Sequence, residues 1–274
     1  MSAKKLKDWF FMIDKKEFLL QSIIKAYIEH CEPIGSSQLK TMYDIAYSPA
    51  TIRGYFKKLG DEGFLAQEHA SSGRTPTTEA LKQYWSSKLN YKLSFVDLKT
   101  VEYLAQRVGL TVFIKELKND KLVNVLNIQD RYMILEFDNF PITIKYSSAL
   151  YRFLIDMVGL EINHIIKISK DVGAYELYAQ LSQFVKERDL SIYNTKEFLR
   201  LALTYDFDES FINSFLNGEV IDKCEEGLYY EELLPTGYMG ICNVCNIHGY
   251  NSKMLVVGEL SKDYEYFYNQ ISMS

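Results

Sequence analysis

The sequence contains no apolar run near the ~20 residues that an α-helix needs to cross a bilayer, so no membrane-spanning helix is expected. Histidine is scarce, with 4 among 274 residues. His30, His69, His164 and His248 fall at neither H-x-x-x-H nor H-E-x-x-H spacing, which removes the usual helical zinc sites. The phosphate-cradling G-x-x-x-x-G-K-S/T, the dinucleotide-binding G-x-G-x-x-G and the nucleophile elbow G-x-S-x-G are all missing. Adjacent carboxylates at Glu225-Glu226 and Glu231-Glu232 read as solvated acidic turns, since nothing sets them across a cleft as an acid and a base. An enzyme is therefore not expected, and no cofactor is called for. Cysteine is sparse as well: 4 residues without an export signal suit a reducing, cytoplasmic compartment. Lys4, Lys5 and Lys7 followed by Trp9-Phe10-Phe11-Met12-Ile13 imitate the front of a signal peptide, yet the apolar piece is too short and lacks a small-residue cleavage site. That stretch reads as a helix docking on the domain, or as a weak interfacial membrane anchor.

Excess positive charge is also absent. A net charge of −5 argues against a general nucleic-acid binder, but the charge is unevenly spread. Residues 1–90 carry 13 basic and 10 acidic side chains, net +3, and the remainder carries 18 and 26, net −8. A basic head on an acidic body suits a protein that touches phosphate at one end only. With 274 residues, of which 47% are hydrophobic, two domains are expected. The boundary falls near Asn90, where helical periodicity lapses, giving residues 1–90 and 91–274.

The most informative stretch runs from Ser36 to Thr77. Ser48 suits an N-cap and Pro49 the first helical position, where a missing N–H costs nothing. At 100° per residue, Ile52, Phe56 and Leu59 share one face, with Tyr55 at its edge, while Ala50, Arg53, Gly54 and Lys57 share the other. One face is for a core, the other small and basic. Upstream, Lys15 to His30 has helical apolar spacing; Pro33 ends it, Gly35 permits a bend, and Ser36 caps a short helix to about Tyr43. Downstream, Gly60 and Gly63 bracket the helix end, Phe64 to Gln67 reads as a short strand turning at His69 to Gly73, and Arg74 is expected at the hairpin tip. Any one of these helices alone would read as an ordinary surface helix. Together they describe a helix-turn-helix followed by a wing, with double-stranded DNA as partner. Arg53 and Lys57 are expected to face the major groove, with Ala50 against a thymine methyl and Arg74 meeting phosphate or the minor groove. Ser36 and Ser37 would position a phosphate; Ser48, Thr51, Lys58, Ser71, Ser72 and Gly73 complete the expected surface.

S-P-A-T-I-R from Ser48, then E-G-F-L from Glu62, then S-x-G-R-x-P-T from Ser71, resembles the winged-helix domain of the HrcA family, the bacterial heat-inducible transcription repressors. Y-I-E-H-C-E-P-I-G-S from Tyr27 to Ser36 resembles a fourth motif of that family. The four occur in order over residues 15–80, about a quarter of the chain. The chain departs from the pattern at Gly54 and Tyr55, where the family usually has Asn-Asp. The resemblance implies a homodimer on an inverted-repeat operator of the CIRCE type, repression of chaperone genes, and help from a GroEL-type chaperonin. It also implies a GAF-like α+β body carrying an inserted dimerisation segment, expected within about 147–206. In that body the resemblance rests on C-N-V from Cys242 and V-V-G-E-L from Val256.

Beyond Thr77, expected as a helix cap, the chain reads as α+β. Helices are expected to Leu89 and from Val101 to Gly109. Strands at Thr111 to Leu117, Leu122 to Ile128, Tyr132 to Phe137 and Ile142 to Tyr146 read as one antiparallel meander. Ser147 to Val158 has helical spacing, with Leu150, Leu154, Ile155 and Val158 inward. Leu160 to Ile168 reads as strand, Tyr175 to Arg188 as helix, and Asn194 to Glu232 as mostly helical. Two last strands, Tyr238 to Ile247 and Met254 to Leu260, precede a terminal helix whose Tyr264, Tyr266, Phe267 and Tyr268 suit a core more than a partner surface.

Two other readings stay open. Cys242, Cys245 and His248 have the residue types of a zinc or thiol sensor, but strand alternation would send the two cysteines to opposite faces. A GAF-like body could also hold a small ligand, making the protein a ligand-gated regulator, though no polar set stands out to receive one.

Overall fold

The computed structural model describes residues 3–69, 72–116, 120–247 and 249–273, with side-chain positions for all of these except 3–14 and 186–189. The fold is α+β, built around a five-stranded antiparallel sheet. Its strands are β3 (Thr111–Glu116), β7 (Leu190–Tyr193), β8 (Gly227–Tyr229), β9 (Tyr238–Ile247) and β10 (Tyr250–Glu259), in the order β7-β3-β10-β9-β8. Side chains alternate between the two faces of a strand, and each face has its own cover. On one side Val112, Ile114, Ile241 and Val256 pack under α5 (Leu98–Val108) and the terminal α12 (Tyr264–Ser272). On the other, Phe113, Cys242, Leu255 and Val257 pack under α9 (Thr195–Thr204), α10 (Glu209–Leu216) and α11 (Glu219–Lys223). The aromatic stripe of α12 is core: Tyr264, Phe267 and Tyr268 are buried.

The first 90 residues form α1 (Ala3–His30), α2 (Ser36–Met42), α3 (Pro49–Asp61), a two-stranded hairpin of β1 (Leu65–Ala66) and β2 (Thr75–Pro76), and α4 (Thr78–Lys88). Their core is continuous with the α5/α12 face of the sheet. α4 makes the connection. Trp85 Nε1–H donates to the Leu260 carbonyl over 2.8 Å, and its ring meets Tyr84 and Tyr264 edge-on at 5.0 and 5.4 Å. Lys82 pairs with Glu231 at 2.5 Å and holds that carboxyl below its usual pKa.

The middle of the chain departs from the expected meander. β3 belongs to the large sheet, whereas β4 (Leu122–Ile128), β5 (Tyr132–Phe137) and β6 (Pro141–Lys145) form a separate three-stranded sheet. α6 (Ser148–Ile155), α7 (Ile162–Asp171) and α8 (Tyr175–Asp189) cover it, and this unit has its own core of Met133, Leu135, Leu154, Ile165 and Leu181. The chain leaves the large sheet after β3 and returns on β7, which pairs alongside β3 with Lys115 opposite Leu190. Two expectations fail here. Leu160 to Ile168 is mostly helix, because Ile162, Ile165 and Ser169 bury one helical face. Ile155 and Val158, expected inward, are exposed: α6 ends at Ile155 and the following residues turn away. β7, four residues directly after α8, was expected as no element at all.

Among the described residues no helix is long and apolar enough to cross a membrane. The expected anchor at Trp9 to Ile13 lies on α1, but its side chains fall outside those described.

Candidate nucleic-acid interface

α3 forms as its sequence dictates. Thr51 N–H donates to Ser48 Oγ over 3.1 Å, and Pro49 occupies the first turn, where no intrahelical donor is lost. Ile52, Phe56 and Leu59 are buried against α1 and α2, while Ala50, Thr51, Arg53, Gly54, Lys57 and Lys58 are exposed. Thr51 and Ser48 also join their hydroxyls at 2.9 Å, and Lys58 Nζ lies 5.6 Å from the Tyr55 ring centre. Around Gly54 an added Cβ would meet nothing within 4 Å, so its missing side chain is not required by packing within the chain.

The hairpin differs from expectation in a way that moves an arginine. The turn is closed by Ser72, whose N–H donates to the His69 carbonyl at 2.9 Å and whose Oγ accepts from His69 N–H at 3.1 Å. Arg74 lies below that turn. Its backbone exchanges two hydrogen bonds of 2.9 Å with Ile34, in the connection between α1 and α2; it lies one position to the turn side of the Ala66–Thr75 pair and is tied to that connection instead of projecting free from the tip. The reason is long-range pairing: the link after Pro33 offers Ile34 as a free edge, and the returning hairpin strand takes it. Gly73 makes the approach possible. A Cβ there would stand 2.6 Å from the Pro33 carbonyl atoms, closer than any side chain tolerates. Gly73 thus has a packing role within the chain, and Ser71 lies outside the described residues.

Ser36 is not the N-cap of α2. Gly35 is, its N–H donating to Gln38 Oε1 at 3.2 Å. Ser36 is instead nearly buried, and its hydroxyl receives Arg53 Nη1–H at 3.4 Å. Ser37 is exposed beside it. Between α2, α3 and the hairpin lies a groove of about 530 Å³, bordered by Ser36, Ser37, Arg53, Ser72 and Arg74. Within it the Arg74 Nη1 atom is buried with no hydrogen-bond partner.

The other candidates disperse. Cys242 faces the core under α9 to α11 and Cys245 the opposite core. The bond to Cys224 and burial push the Cys242 thiol up, and burial takes Cys245 to about 11. His248 lies outside the described residues, and among those described no group of three metal-ligating side chains converges. A cavity of about 430 Å³ between α9 and β10 has several of its polar groups engaged with one another: Arg200 bonds Glu197 at 3.1 Å and Tyr238 bonds Glu259 at 3.3 Å.

Residues 85–274 match the family model for the HrcA C-terminal domain. Over 260 residues the chain is 30% identical to the heat-inducible transcription repressor HrcA of Helicobacter pylori strain J99, covering 95% of each. Against the protein of the same description from Thermodesulfovibrio yellowstonii it is 27% identical over 257 residues, covering 85% of this chain and 71% of that one. Among solved structures, a hypothetical protein superposes with a TM-score of 0.54 at 20% identity, covering 95% of this chain and 96% of that one; that likeness speaks for the fold alone. On the family match and the full-length identity, the chain belongs to the HrcA family of heat-inducible transcription repressors.

Proposed function

We propose that residues 1–90 are a winged helix-turn-helix, that the chain represses chaperone genes by gripping an inverted-repeat, CIRCE-type operator as a homodimer, and that residues 91–274 are the GAF-like body that spaces the two heads. The observation that carries this reading is the exposed face of α3, small at Ala50 and Gly54 and basic at Lys57 and Lys58, beside the hairpin. A helix entering the major groove needs such a face, because bulky or acidic side chains would hold the duplex away. A single head of net charge +3 gains few phosphate contacts, so useful affinity comes from joining two on one duplex.

The dimerisation insertion is best drawn as about residues 120–189, the excursion between β3 and β7, rather than 147–206. Its sheet supports a role in pairing protomers. On the outer face Leu126 lies opposite Ile134 and Ile128 opposite Tyr132, and Ile128 and Tyr132 remain 41% and 50% exposed. Apolar side chains that contribute nothing to their own core suit a contact with a second copy. Tyr132→Lys should shift the protein to monomer in size-exclusion chromatography; an unchanged elution volume would remove this face from the interface.

Family membership further suggests that a GroEL-type chaperonin keeps the repressor active. Equal fractions of operator-competent protein with and without chaperonin would count against that part. The main test is a gel-shift titration of wild type and Lys57→Ala on an inverted-repeat duplex and on a scrambled one. Wild type should prefer the repeat, and the variant should lose affinity. No preference in wild type would end the reading.

A further inference from the structure

The donor on Arg74 is one of few buried side-chain polar atoms left unmatched among the described residues. Among the described residues only Arg74 Nη1 and the Tyr264 hydroxyl are buried side-chain polar atoms without a hydrogen-bond partner. Arg74 lines the groove together with Arg53, which is exposed and whose Nη1–H donates to the nearly buried Ser36 hydroxyl at 3.4 Å, a long and therefore weak bond. Ser37 and Ser72 line it as well, and among the described residues no carboxylate does. Two guanidinium groups and hydroxyls, one donor vacant and another loosely held, are arranged for a tetrahedral oxyanion, which accepts hydrogen bonds from two sides at once.

We infer that this groove is a pocket for one phosphodiester of the bound duplex, clamped between Arg53 and Arg74, and that these two residues set the register of the head on DNA instead of reading bases. The inference rests on the DNA-binding reading and refines it. Arg74 does not project freely from the tip of the wing, since its backbone is locked to Ile34 in the α1–α2 connection. Arg53, bent back toward α2, leaves the base edges to Ala50, Gly54 and Lys57 farther round the exposed face of α3. The division of labour follows: α3 reads, and the α2–hairpin groove anchors.

The test uses the full chain. Arg74→Met and Arg53→Met keep the apolar stem and remove the charge. Each should weaken binding to an inverted-repeat duplex and to a scrambled duplex by the same factor, on the order of tenfold. Each should also make the plot of log K against log salt shallower by about one per protomer. In the second arm, wild type is titrated against duplexes carrying a single neutral methylphosphonate, moved one position at a time along the half-site. One position should reproduce the loss, and at that position Arg74→Met should add nothing further. Should Arg74→Met fail to fold, judged by its thermal unfolding, Arg53→Met runs the same cycle. A loss confined to the specific duplex with an unchanged salt slope would overturn the clamp and make these residues base readers. So would the absence of any methylphosphonate position whose effect the variants abolish. Wild type that does not prefer the inverted repeat fails differently: it sinks the DNA-binding reading itself.

Discussion

The head and the insertion both grow out of one five-stranded sheet, and they are attached to it in opposite ways. The head shares its core with the sheet: Leu19, Ile52 and Trp85 belong to the same packed cluster as Val112, Ile241 and Tyr264. The insertion keeps a core of its own, with Met133, Leu135 and Ile165 at its centre, and leaves and returns side by side on β3 and β7. A continuous core transmits orientation, since packed side chains resist displacement. A separate core transmits little beyond its anchoring strands. The orientation of the exposed α3 face is thus tied to the body, and the insertion is free to specialise.

Trp85→Ala should produce the largest effect. Losing a buried indole costs about 3–5 kcal/mol, and here the cost should fall on head and body in one unfolding transition. Should the body's transition stay in place while the head alone melts earlier, the shared core is not a cooperative unit. Leu135→Ala, at about 2–5 kcal/mol, should instead strike the insertion. Hydrogen exchange should accelerate across β4 to β6 while β9 and β10 keep their protection; equal loss in both would erase the contrast.

A pH titration separates the same two regions without a large cavity. Burial holds the Cys245 thiol protonated up to about 11 against an ordinary 9.0. Above about pH 9 the unfolded chain therefore binds fewer protons than the folded one, and stability falls as pH rises, levelling past 11. The loss should be on the order of 2 kcal/mol and should vanish in Cys245→Ala. The four cysteines, Cys31, Cys224, Cys242 and Cys245, all lie outside residues 120–189, so this loss spares the insertion. An alkaline midpoint identical in Cys245→Ala and wild type would contradict it.

Gly54→Ala should have the smallest effect on the fold. With open space around it, alanine should stabilise α3 by about 1 kcal/mol and yet weaken operator binding, because the added methyl faces the duplex. Unchanged affinity would remove Gly54 from the interface.

How much of this was legible in the sequence depended on how local the cause was. Caps at Ser48 and Thr77, the stop at Gly109 and the two faces of α3 are written within a few residues of where they act, and each formed as such. The opposite facing of Cys242 and Cys245 followed from strand alternation alone. What escaped was settled by distant partners. β3 pairs with β10 and β7 instead of joining the nearby meander. Arg74 is drawn to Ile34, and Arg53 to Ser36, seventeen positions away. α7 was misread for another reason: Ile162, Ile165, Ile166 and Ile168 are β-branched and mimic a strand, while the pocket they fill belongs to β4 to β6 and is invisible in their own spacing. The start of the insertion was misplaced for the same cause, since β4 to β6 look like body strands until their core is seen to be separate.

The central claim is that two heads, held at a fixed distance by their bodies, grip one duplex together. The most direct measurement compares wild-type affinity for a full inverted repeat with that for a single half-site under the same salt. Linked heads should bind the full site at least 100-fold more tightly, with two chains per duplex. Equal affinity for the two, or one chain per full site, would contradict the account.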